Sequence, residues 1–577
     1  MNSETRLSWF DPTDLPRALR LIRLLSWIVI GLAGFLQVWA SRFTVTSDGN
    51  SYLDVAAAYL HRDWHNAINA YWSPLFSWLL AFCMAILHPS PYWESTILHL
   101  LNFAALLVSL LCFEFFFRSF LKMGTRLGPS GSEAQGLPEL GWWALGYGLF
   151  ASTSLFVLTV SLSTPDVWVA ALTYLAAGFL VRVYSSGGGW HRFAALGFVL
   201  GCAYLTKTFY FPMSFVFLLT AWLAAGNRRK ALPQAALGVL IFFLVAGPWV
   251  VTLSRVKHRF TFGDVGKLAF FIRTVPIAQP YVWQGESGTG IPVHPVRQLL
   301  SKPALYEFAT PIAGSYPPAY DQTYWLEGAN VRFSLKTTLV ILRQSAGTIF
   351  QFLVDQSEFA MGLVVVFFFL VQGQSGWFAS LRQRWFLWVP PLIACLSYSA
   401  VLLEGRYVAP FLLLLWIAGF SSLLSLSSRI PRTIAVALLL AMLSLAGLRI
   451  AKFAVSDTLA GLSHPPNTDY EVAQGLHNLG IHPGDRIAGL SRVTEAHWAR
   501  LAGVKIVAEI PLGNELFFWT APPDLQRKVL DLVAGTGAKA IVTNGSSPSA
   551  INAGWTPLGT TGYYVLLLPP QPPRSAP

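Results

Sequence analysis

Four side chains in this sequence combine types that could move a proton and hold a phosphate. Asp48 stands in TVTSDGNSYLDVAAAYL, Asp166 in SLSTPDVWV, Lys207 in LTKT and Arg406 in LLEGRYVAP. A carboxylate within hydrogen-bond reach of a hydroxyl can take its proton as the oxygen attacks carbon. Arginine grips phosphate through two parallel donors, and lysine meets it as a point charge. Each acid also has a bland reading, because Asp caps helices well and both stand where a helix is expected to start. Asp54 follows Asp48 by six positions, about 240° around a helix, so the two do not share a face closely. His61 and His65 are spaced i, i+4 but have no clear third ligand, which favours a solvated face over a metal site. Arg255, Lys257 and Arg259 cluster after an apolar run and read as side chains snorkelling to headgroups.

The elements that must position these groups are membrane helices. The chain has 577 residues, is 54% hydrophobic and 12% charged, and has a mean hydropathy of +0.51. That lies outside the soluble range. Apolar runs near 22–40, 97–117, 141–162, 167–184, 193–206, 208–225, 233–253, 350–371, 385–403, 407–426 and 433–451 approach the length that crosses a hydrocarbon layer of about 30 Å. The run SPLFSWLLAFCMAIL at 73–87 is too short to cross comfortably and is expected to be re-entrant or interfacial. If it does not cross, the basic clusters Arg118/Lys122/Arg126, Arg192, Arg228/Arg229/Lys230, Arg382/Arg384 and Arg429/Arg432 all fall on the cytoplasmic side, as the positive-inside bias requires.

The expected fold is therefore a polytopic α-helical membrane protein of about eleven spans, with the N-terminus cytoplasmic and the C-terminus outside. In that topology Asp48, Asp166, Lys207 and Arg406 all emerge on the outer face. They are joined there by a first outer loop, 41–96, and a long outer loop, 254–349. Cys83, Cys112, Cys202 and Cys395 lie in apolar runs without disulfide or metal spacing. The net charge of +12 belongs to the membrane half, so it calls for no nucleic-acid partner.

Beyond about residue 456 the composition becomes soluble, with eight Lys and Arg against nine Asp and Glu. TDYEVAQGLHNLG reads as a helix, RIAGL, VKIVAEI and KAIVTN as short strands, and PDLQRKVLDLVAG as a helix between the last two. The chain thus divides into a membrane domain, 1–455, and a small extracytoplasmic α/β domain, 456–577, ending in the Pro-rich tail PPQPPRSAP.

An acidic first outer loop, the stretch YWSPLFSWLLA, a second acid in TPD, the LTK step and a late EGRYVAP occur in this order. The set resembles the GT-C superfamily of integral-membrane glycosyltransferases, over residues 15–450. It is most similar to the branch of lipid A aminoarabinose transferases and protein O-mannosyltransferases. Members of that superfamily move a sugar from a polyprenyl-phosphate donor, usually with inversion, to an acceptor outside the cytoplasm.

The resemblance implies Asp48 and Asp166 as catalytic acids and Lys207 and Arg406 as binders of the donor phosphate. Tyr52, Asp54, Tyr320 and Trp325 are candidate contacts for acceptor or substrate. A divalent cation, Mg or Mn, is a candidate cofactor. The acceptor would be a lipid, a glycan or a protein, and the location the bacterial inner membrane. This chain departs from the pattern at Asp48-Gly49, where relatives often have Asp-Glu, at Ser51, where they often have a basic residue, and at Trp72-Ser73-Pro74-Leu75, where they read His/Lys-Pro-Pro-Leu. Two competing expectations are a flippase for lipid-linked sugars and a non-catalytic envelope assembly protein. The absence of an evident repeat and the gathering of ionisable residues at one face disfavour a transporter.

Overall fold

The computed structural model describes residues 17–127, 137–275, 280–308, 313–330, 335–371, 376–424, 432–463, 466–491, 495–544 and 554–569. Arg429 and the Pro-rich tail past Pro569 lie outside them. Among the described residues, seven helices are long and apolar enough to cross a membrane. The pair Leu335–Asp355 and Ser357–Phe368, bent by 89°, makes an eighth if it counts as one crossing. The expected span at 350–371 is thus broken in its first third. At the break Gln356 is buried, donating to Thr153 Oγ1 at 3.1 Å and accepting from Trp416 Nε1 at 2.7 Å. These bonds tether the bend to its neighbours, while Gln356 N still donates to Phe352 O and its carbonyl accepts from Ala360 N, each at 3.0 Å.

Three shorter apolar helices, Pro74–Leu87, Tyr210–Ala224 and Trp385–Val401, accompany the long ones. The 14 residues of Pro74–Leu87 rise only about 21 Å, less than the hydrocarbon thickness. This helix packs through Phe76, Leu80 and Met84 onto Tyr52, Leu53 and Val55 of the helix Ser47–Leu60 and leaves Phe82, Ile86 and Leu87 exposed.

Membrane helices gain little from apolar burial against one another, so close backbone approach and internal hydrogen bonds hold them. The helices Trp190–Thr206 and Arg228–Val256 meet at Gly197, where a Cβ would stand 2.0 Å from the Gly238 carbonyl oxygen. Glu114, 1% exposed, accepts on Oε1 from Arg23 at 2.9 Å and from Trp27 and Tyr147 at 2.7 Å each, which ties three long helices together.

The soluble part is a seven-stranded sheet. Its strands are β1 Arg297–Ser301, β2 Ala304–Glu307, β3 Arg486–Leu490, β4 Lys505–Ile510, β5 Ala540–Asn544, β6 Thr556–Pro557 and β7 Tyr563–Leu567, in the order β1-β2-β4-β3-β5-β7-β6. β3 runs parallel to β4 and β5, and the other pairs are antiparallel. The helices Thr468–Asn478 and Pro523–Ala534 stand where the sequence places them.

Two features differ from the expected domain division. The last membrane helix, Arg432–Leu462, runs past residue 455 without interruption. The sheet also takes β1 and β2 from the long segment between Arg228–Val256 and Leu335–Asp355, and β2 covers an edge that β4 would otherwise present unpaired.

That loop is fastened to the sheet by a buried carboxyl. Glu509, on β4, accepts from Tyr316 at 2.6 Å and from Tyr281. Burial pushes its carboxyl up to about 7, and the two phenols pull it back down. A folded-state value above the usual 4.5 makes the protonated form the favoured one in the fold. The stability contribution is complete below about pH 4.5 and is lost as pH rises through about 7. Wild type should therefore lose melting temperature relative to Glu509→Gln between about pH 5 and about pH 8. A difference that does not change with pH refutes this.

Candidate active site

Asp48 sits in the first turn of Ser47–Leu60, yet the capping group is Thr46, whose Oγ1 accepts from Gly49 N at 3.3 Å. Asp166 opens the helix Asp166–Ser186 behind Pro165, and no side chain caps that terminus. Both acids are thereby released from the bland role that sequence alone leaves open. Lys207 ends the helix Trp190–Thr206 at the turn before Tyr210–Ala224, and Arg406 lies in the first turn of Gly405–Leu424.

These four residues, from four separate elements, meet. Lys207 Nζ is 2.6 Å from Asp166 Oδ1. Arg406 Nη2 is 3.1 Å from Asp48 Oδ2, and its Nε is 3.7 Å from Asp166 Oδ2. Thr164 Oγ1 donates to Asp166 Oδ2 at 2.8 Å. Tyr407 turns its ring to Lys207, with Nζ 3.3 Å from the ring centroid, a cation–π contact. Asp166 is 3% exposed and Asp48 33%, so the acids have different access to solvent.

Asp48 and Arg406 line a cavity of about 440 Å³ with Thr46, Ser47, Glu404 and Gly405 on its polar side. Phe156, Val157, Leu162 and Phe352 form an apolar wall, and Asp355 completes the rim. Phe156 and Val157 belong to a π-helical turn, Thr153–Leu158, which precedes Thr159 at φ 45°. Such turns often mark functional sites. Tyr52 lies beside the cluster, and burial together with Asp48 and Asp166 pushes its phenol far up, so it stays neutral. Tyr71 is raised as well, by burial first and Asp48 second.

One face of the span Glu94–Leu127 acts as a template for both acid-bearing loops. His99 Nε2 lies 2.7 Å from Thr44 O, just before the Asp48 helix. Asn102 Nδ2 donates to Leu162 O at 2.7 Å, just before Asp166. The loops also touch directly. A Cβ on Gly49 would stand 2.3 Å from Ser163 Cβ, so only glycine lets the Asp48 turn approach the Asp166 loop this closely.

The other expected contacts lie elsewhere. Asp54 accepts from Arg500 at 2.7 Å and from Ser315 N and Oγ at 2.7 Å each. Tyr320 donates to Asn66 O at 2.5 Å, and Trp325 donates to Pro317 O at 3.1 Å within the core shared by the long loop and the sheet. None of the three lines the cavity. His61 and His65 are exposed.

Among the described residues no three His, Cys, Asp or Glu gather as a ligand set. The Arg406 guanidinium already occupies the position between Asp48 and Asp166 that a metal bridging them would need. Sequence reasoning gave no site role to Thr164, Tyr407, Glu404 and Asp355. The first three adjoin recognised motifs, whereas Asp355 reaches the rim only through the bend at Gln356.

The Gly49–Ser163 approach gives a direct test. Gly49→Ala should lower the melting temperature through overpacking worth about 1–3 kcal/mol, and adding Ser163→Gly should restore most of it. Failure of the second change to compensate would show that the two loops are not pressed together.

No protein-family model and no curated protein matches the chain. Solved structures do. ArnT from Cupriavidus metallidurans in the apo state matches with a TM-score of 0.52 at 12% identity, covering 95% of this chain and 100% of that one. The same protein bound to undecaprenyl phosphate gives 0.49 at 12% identity, covering 96% and 99%. The Archaeoglobus fulgidus oligosaccharyltransferase in the apo form gives 0.46 at 14%, covering 93% of this chain and 70% of its own. The match to ArnT over nearly the whole length of both chains gives this chain the same fold as ArnT.

Proposed function

We propose that this protein is a membrane glycosyltransferase moving a sugar from a polyprenyl-phosphate donor to an acceptor hydroxyl, with inversion. The observation that carries the reading is Arg406 spanning Asp48 and Asp166, with Lys207 behind it, at the rim of an amphipathic cavity. The acceptor oxygen attacks the anomeric carbon as the bond from that carbon to the phosphate oxygen breaks. Asp48, the more exposed acid, takes the hydroxyl proton. The leaving polyprenyl phosphate gains negative charge, which Arg406 and Lys207 neutralise, typically the largest part of catalysis in such reactions. Asp166 holds both cations in place and does not itself touch the sugar.

The site faces the outside of a bacterial inner membrane. The topology is eleven crossings with a cytoplasmic N-terminus: the seven long helices, the bent pair, and the shorter helices Trp190–Thr206, Tyr210–Ala224 and Trp385–Val401. The acceptor is a lipid, a glycan or a protein.

Transfer from a radiolabelled polyprenyl-phosphate sugar by purified protein tests the reading. Asp48→Asn should lower the rate by about 10²–10⁴-fold, the range for removing a general base. An unchanged rate removes Asp48 as the base, and donor translocation without transfer would favour a flippase. Because Arg406 fills the position between the acids, chelator treatment should leave the rate within about twofold, the neutralisation being supplied by side chains. Loss of activity on chelation with recovery on adding Mg or Mn would overturn that assignment.

A further inference from the structure

The soluble domain reaches into the membrane domain through a single buried cation. Arg500 follows β3 in the short helix His497–Leu501, and its side chain is 12% exposed. It donates to Glu94 through Nε at 3.0 Å and Nη2 at 2.6 Å, and to Asp54 through Nη1 at 2.7 Å. Those two carboxylates sit on the two elements whose relative placement decides where Asp48 points. Asp54 belongs to the Asp48 helix, about 9 Å further along it. Glu94 opens the span whose His99 and Asn102 fix the loops before Asp48 and Asp166.

Further bonds fasten the same helix from the same side. His497 Nδ1 lies 3.1 Å from Asn50 Oδ1, Asn50 Nδ2 donates to Ser315 Oγ at 3.0 Å, and Ser51 Oγ donates to Ala319 O at 3.1 Å. Ser315 is bound in turn to β4, its carbonyl accepting from Ile506 N at 3.0 Å.

We propose that Arg500 is a positioning residue for the transfer reaction: through Asp54 and Glu94 the soluble domain sets the aim of Asp48. This rests on the reading of Asp48 as the base. Arg500 touches neither donor nor acceptor in this arrangement, because it does not line the cavity. Its loss moves the carboxylate and leaves the binding groups in place. A displacement of about 1 Å at a reacting group can cost about a hundredfold in rate.

The test is steady-state transfer by the full-length protein with polyprenyl-phosphate sugar as varied donor, comparing Arg500→Ala, Arg500→Lys, Asp54→Asn and the Arg500→Ala/Asp54→Asn pair. The expected result is a fall in kcat of about tenfold or more for Arg500→Ala, with donor KM within about threefold. Partial recovery is expected in Arg500→Lys, and a double variant no worse than the weaker single variant, since both act on one linkage. Should Arg500→Ala fail to fold, Arg500→Lys and Asp54→Asn preserve side-chain volume and are read the same way. An unchanged kcat in folded Arg500→Ala, or a raised KM with kcat held, overturns the proposal. If Asp48→Asn abolishes transfer while the Arg500 variants keep it, only the positioning role falls; if Asp48→Asn keeps transfer, the reading beneath it falls too.

Discussion

Two carboxylates and two cations at the end of an apolar helix bundle can persist only as a neutral set. Each ion taken from water costs several kcal/mol, and removing one partner of a buried pair leaves an uncompensated charge. Asp166 is nearly inaccessible, and Lys207 at 2.6 Å together with Arg406 at 3.7 Å answers its charge. Arg406 turns its Nη2 to Asp48 at 3.1 Å. The arrangement is asymmetric. The inner pair is sealed, whereas the outer acid is held by a single contact and opens on the cavity. A phosphate entering there competes for Arg406 and would loosen its hold on Asp48 just as a free carboxylate is needed. In the proposed reaction, binding the leaving group and releasing the base become one event.

The demand for that asymmetry explains much of the surrounding construction. Four elements far apart in sequence must end within a few ångströms of one another, and helix packing alone tolerates sliding along the axis. His99 and Asn102, one turn apart on a single span, hold the two acid loops by their backbone carbonyls. The Gly49 approach to Ser163 sets the distance between the loops from the other side. The sheet, with its recruited hairpin and its Arg500 contact, covers the outward flank of the Asp48 helix. The result is that Asp48 stands in the first turn of a short helix that is clamped further along its length.

Much of this was legible in the sequence, for identifiable reasons. Charge distribution across apolar runs put Asp48, Asp166, Lys207 and Arg406 at one end of the bundle, and the structure brings those four together. RIAGL, VKIVAEI and KAIVTN read as short strands, and they are β3, β4 and β5. The hairpin β1–β2 was not read, since RQLLS and ALYE carry little strand character and their sheet partner lies some 200 residues away. Asp54 reads from sequence as either structural or acceptor-orienting, because its partner Arg500, 446 positions distant, leaves no local trace. The bend at Gln356 was invisible for the same reason: a glutamine in an apolar run does not announce the threonine and tryptophan that will bind it.

The departures from the resembled pattern then acquire a common cause. A second acid beside Asp48 would need room and a counter-charge, and at position 49 there is neither, because Ser163 stands where its Cβ would go. At 72–74 the place of a basic residue is taken by Trp72, whose indole donates to the Ala319 and Tyr320 carbonyls of the long loop at 3.2 and 3.1 Å. That position therefore serves to dock the loop and cannot also present a cation to a phosphate. The positive charge at this site is concentrated instead in Arg406 and Lys207. This is why Arg406 must span both acids, and why the rest of the fold is arranged to keep that one guanidinium between them.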